Sequence, residues 1–185
     1  MSDPKSSKRP NPTTGITQAL SEELLIDRKE FVKAALTTIK RENPSIHRFI
    51  IEQTMMSSNS DLTLNFLLLY YEIFARSGRS QGSAMLTVEE STVAEIQEEV
   101  HTTIQTLISL SDVNGGGYQN KQKDYFSRLA SSEVESSEEL AEFWTILAVQ
   151  RANLFKRPGS ISNLVLEPVY HLADIFQRQE KKSTK

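Results

Sequence analysis

Glu98 and His101 stand three residues apart in a stretch with helical spacing, which puts a carboxylate and an imidazole one turn apart on one helix face. Di-metal four-helix sites use that unit twice, with two further glutamates from facing helices. Here the unit occurs once, and Glu72 and Glu142 are the carboxylates that neighbouring helices would have to add. The missing second unit weighs against a metal-dependent helical-bundle enzyme, and the pair reads more simply as two solvent-facing polar groups. The three histidines, His47, His101 and His171, fall on three different predicted helices, and His171 is spaced to hydrogen-bond Asp174. No G-x-S-x-G elbow, P-loop or G-x-G-x-x-G stretch is present. Asp112-x-Asn114-x-Gly116-Gly117 begins like a calcium loop, but its twelfth position is Lys123, where a bidentate glutamate is required. It reads instead as a helix stop followed by a glycine loop at 115–117, a kind of segment that can contact ligands. Cysteine is absent, which removes thiolate metal sites, cysteine nucleophiles and disulfides. No metal ligand set, catalytic group or cofactor is assigned on this reading.

Charge offers a second kind of chemistry. Lys40-Arg41, Arg48 and Lys156-Arg157, if folded together, would form a basic patch for nucleic acid, with Phe155 beside the last pair. Each group also sits near a predicted helix end, where cations answer the helix dipole, and the same holds for Arg76 and Arg79. The net charge is −3, without the high pI usual in duplex binders. Residues 1–81 carry 11 Lys and Arg against 9 Asp and Glu; residues 82–185 carry 10 against 15. Two stretches, 86–110 and 129–150, carry five glutamates each and no Lys or Arg, which makes the predicted helices 87–110 and 137–155 acidic, either as solvated faces or as a surface for a basic partner.

These groups need elements to hold them. The run Leu62–Phe74, LTLNFLLLYYEIF, is apolar on nearly every side and must be surrounded by protein. It contains Asn65 and Glu72 and is shorter than the roughly 20 residues that span a bilayer, so no membrane segment is expected. Around it, apolar residues recur at helical spacing: Leu25, Val32 and Ile39 in a helix ending near Glu42, then Ile46, Phe49 and Ile50 in a short helix opened by Asn43-Pro44. Thr87 and Glu90 form a capping-box pattern at the start of the 87–110 helix. A short helix is expected over 121–130. Ser136 with Glu139 opens another over 137–155, and a last one covers about 164–178, with Pro168 in its first turn or kinking it. The fold class is all-α: a compact bundle of six or seven helices around a central helix at 62–77. It forms a single domain over 16–179, with polar, disordered tails at 1–15 and 180–185.

The function expected from these residues is that of a non-enzymatic protein–protein interaction module, cytoplasmic and self-associating as a homodimer. Tyr70, Tyr71, Phe74, Phe143 and Trp144 are the aromatic residues expected to serve the interface. The alternative is a nucleic-acid-associated accessory protein.

Overall fold

The computed structural model describes residues 25–80, 86–111, 124, 138–155 and 163–184. Six α-helices follow one another, and no strand occurs among the described residues: α1 (Leu25–Glu42), α2 (Pro44–Met56), α3 (Ser60–Ser80), α4 (Glu90–Ser111), α5 (Glu138–Phe155) and α6 (Asn163–Ser183). The expected tail at 1–15, the glycine loop at 115–117 and the helix at 121–130 lie outside the described residues, Asp124 excepted.

The α3 helix is central, as its composition requires. Phe66, Leu67, Leu68, Tyr70, Tyr71 and Ile73 are all buried, and on a helix turning 100° per residue they span about 220° of its circumference. Its neighbours are α2, α5 and α6. The last helix shares the centre: α6 packs on α3, α4 and α5, and Val169, Leu172, Ala173, Ile175 and Phe176 are fully enclosed. Aromatic rings fill the joint of α3, α5 and α6. Phe66 meets Phe143 edge-on at 6.0 Å, Phe74 stacks on Phe176 at 4.2 Å, and Trp144 stacks on Tyr170 at 5.3 Å. Such contacts add to the apolar area already removed from water.

Asn43 and Pro44 part α1 from α2 as their types predict, with Pro44 at the first helical position. The Asn43 side chain does not cap α2, however. It is fully buried and reaches a distant segment, donating to the Leu86 carbonyl at 2.7 Å and accepting the Val88 N–H at 2.9 Å. That anchor keeps residues 86–89 out of the helix and seats Val88 in the core. The α4 helix therefore begins at Glu90, three residues after the Thr87 start expected from the capping box.

The α6 helix runs on to Ser183, through residues expected to be a polar tail from 180 onward. Packing against α4 explains the extension. Gln179 is buried and its Oε1 accepts the Thr92 hydroxyl at 2.8 Å and the Glu89 N–H at 3.1 Å, answering an amide at the start of α4. Arg178 grips Glu99 with two hydrogen bonds of 2.6 and 2.7 Å, and Lys182 reaches Glu95 at 2.8 Å. Pro168 sits inside α6 and is buried.

Glu180 is exposed on the last turn of α6, and the partial burial of its carboxyl shifts it upward from its ordinary value. Burial, and secondly the charge of Glu180, pushes the Tyr70 phenol above its own. The fold thus favours protonated Glu180, and the stability tied to that form is present at low pH and lost as pH rises through the folded-state value. Glu180→Gln is accordingly expected to raise Tm at neutral pH, and thermal scans should show the gain vanishing below about pH 4, where the glutamate is protonated in both states.

Candidate functional site

Two sizeable grooves are lined by described residues of the helix bundle. The first lies between α1, α2 and α3 and encloses about 650 Å³. Its basic wall is a single stripe of α1. Lys29, Lys33 and Lys40 are spaced by four and seven residues, so they project from one side of the helix. All three are exposed, and none is paired with a carboxylate among the described residues. The floor is aliphatic, from Val32 and Leu36 of α1 and Leu64 of α3. Asp61 and Asn65 of α3 form the opposite rim, and His47 of α2 also lines the groove. Burial, and then the neighbouring Lys40 ammonium, holds the His47 imidazole below its usual value.

The second groove encloses about 600 Å³ between α2, α4 and α6. It brings His101 and Glu98 of α4 to the same hollow as His171 and Glu167 of α6, which are buried. Phe49, Met56, Ile96, Val100 and Ile104 supply apolar walls. Two of the three histidines thus line one hollow while His47 stands in the other. Among the described residues, no three histidine or acidic side chains cluster closely enough to hold a metal ion.

Three of the five residues of the expected basic patch are described, and each is engaged differently. Lys40 faces the first groove, Arg41 pairs with the adjacent Glu42 at 3.2 Å, and Arg48 is tied to Glu90 of α4. Lys156 and Arg157 lie outside the described residues, as do the side chains of Arg76 and Arg79. Helical geometry separates the first pair: consecutive residues diverge by about 100° around the axis, so Lys40 and Arg41 cannot share a face.

Of the aromatic residues expected at an interface, Tyr70, Tyr71, Phe143 and Trp144 are buried inside the single chain, and Phe74 is partly buried against Phe176. They close the α3–α5–α6 joint and present no broad face to a partner. Among the described residues the exposed large apolar ones are different: Phe31, Met55, Met56 and Val149. The lysine stripe was visible in the sequence as Lys29-x-x-x-Lys33 followed seven residues later by Lys40, with Leu36 between. No helix of the described residues is long and apolar enough to cross a membrane. No protein-family model matches this sequence, and comparison with curated proteins and with solved structures finds no match in either.

Proposed function

We propose that this protein is a non-enzymatic interaction module whose docking surface is the groove between α1, α2 and α3. The observation that carries the reading is the row Lys29, Lys33 and Lys40, unpaired among the described residues, above the aliphatic floor of Val32, Leu36 and Leu64. A cationic rim over an apolar trough steers a partner by charge and holds it by burial. Nucleic acid is the weaker reading. Arg41 and Arg48 already carry acidic partners, and the aliphatic floor offers a base no stacking platform besides the His47 ring. Cytoplasmic location stays part of the proposal.

The homodimer expectation rested on aromatic residues that the chain folds around itself. Its test is light scattering at micromolar concentration, where twice the monomer mass supports it and monomer mass removes it. The docking reading is tested by affinity isolation from the native host with wild-type protein, the groove variant Leu36→Asp, and Thr106→Glu on the exposed face of α4 as a control. A protein retained by wild type and by the control, but lost with Leu36→Asp, is expected. Retention of nucleic acid, or equal retention by all three proteins, would count against the reading.

A further inference from the structure

The polarity of this groove narrows its occupant, an inference that rests on the docking reading above. Lys29 and Lys40 lie eleven residues apart on α1, about 16 Å along the helix axis, which is three turns. Among the described residues that line the groove, the unpaired lysines all stand on α1, while Asp61 and Asn65 line it from α3. The described lining between them is aliphatic, suited to a stripe of apolar side chains rather than to an aromatic surface. We propose that the occupant is an amphipathic helix of a partner protein: it seats an aliphatic stripe on Val32, Leu36 and Leu64, and its acidic flank runs along Lys29, Lys33 and Lys40. An α-helix supplies such a flank when carboxylates recur at the same four- and seven-residue spacing, because the two helices then run side by side with equal rise per residue. The other flank must be uncharged or basic, since a carboxylate there would face Asp61. His47 reports occupancy. Its ring lines the groove beside the Lys40 ammonium of α1, and a partner carboxylate next to it would offset that repulsion.

The test uses the full chain and three fluorescein-labelled 16-residue peptides with the same leucine stripe, carrying glutamate, glutamine or lysine along one flank, together with a labelled 15-nucleotide single-stranded RNA. The glutamate peptide is expected to bind, to bind on the order of tenfold more weakly to Lys29→Glu/Lys33→Glu, and to weaken as salt rises. The lysine peptide is expected to gain affinity for that same charge-reversed protein, a rescue that misfolding cannot produce. Proton NMR should show the His47 pKa rising when the glutamate peptide binds. Equal affinity for all three peptides would overturn the proposal, as would failure of the charge swap or an unmoved His47. Tighter binding of the RNA than of the glutamate peptide would give the groove to nucleic acid, and self-association abolished by the double variant would give it to a second copy. A host partner lost with Leu36→Asp while the glutamate peptide fails to bind would overturn the acidic-helix proposal and leave the docking reading standing.

Discussion

Phe176→Ala is expected to lower the unfolding free energy by about 3–5 kcal/mol, a fall in Tm of roughly 10 °C or more. The reason is position. Phe176 has no exposed surface and touches three rings of α3 at once, with centroids 6.4 Å from Tyr70, 6.0 Å from Tyr71 and 4.2 Å from Phe74. Truncation removes the phenyl group from the joint between the two central helices and leaves a cavity that rigid neighbours on both sides cannot close. Urea unfolding followed by far-ultraviolet circular dichroism measures it. Phe31, half exposed on α1, supplies the contrast, since Phe31→Ala is expected to change stability by less than about 0.5 kcal/mol. Equal effects for the two variants would show that α6 does not pack on α3 as described.

Asn43→Ala is expected to cost about 2–4 kcal/mol, an effect of nearly the same size from one small polar side chain. Asn43 donates to the Leu86 carbonyl and accepts from the Val88 N–H, more than forty residues away, with no exposure to water. Alanine leaves two backbone groups of that segment without partners, at roughly 1–3 kcal/mol each when they stay buried. Asn43→Asp separates the donor from the acceptor role. The carboxylate still accepts from Val88 but sets its second oxygen against the Leu86 carbonyl. Its protonation is therefore favoured in the fold, so stability should be present at low pH and lost as pH rises through the raised folded-state value. Asn43→Asp should consequently approach wild type in acid and fall behind it at neutral pH. Parallel pH profiles for the two proteins would mean that the amide N–H carries no weight.

Local signals account for what was legible in the chain. Asn43-Pro44 marks a helix boundary because proline restricts the residue before it and suits a first helical turn, and the structure places α1 and α2 on either side of that pair. The all-round apolar run at Leu62–Phe74 announced a central helix for the same kind of reason. The misplaced ends of α4 and α6 have distant causes. The start of α4 is set by the Asn43 side chain, and α6 extends to Ser183 because Gln179, Arg178 and Lys182 find Thr92, Glu99 and Glu95. A capping-box pattern carries no information about either. The candidate site divides in the same way. The lysine stripe is a one-helix pattern readable from spacing, whereas the groove exists only because Asp61, Leu64 and Asn65 of α3 come to face it. Grouping Lys40 with Arg41 by adjacency hid the stripe, since neighbours in sequence are not neighbours on a helix face. The aromatic residues failed as surface markers because ring size predicts burial in a core as well as at an interface.

The central claim is that the α1–α2–α3 groove is the surface through which this protein meets its partner. Backbone chemical-shift mapping with the glutamate-flanked peptide tests it most directly. Perturbations concentrated at Lys29, Val32, Lys33, Leu36, Lys40, His47 and Leu64 are predicted, with the groove lined by His101 and His171 left unmoved. Perturbations centred on that second groove, or scattered over the acidic face of α4, would contradict the claim.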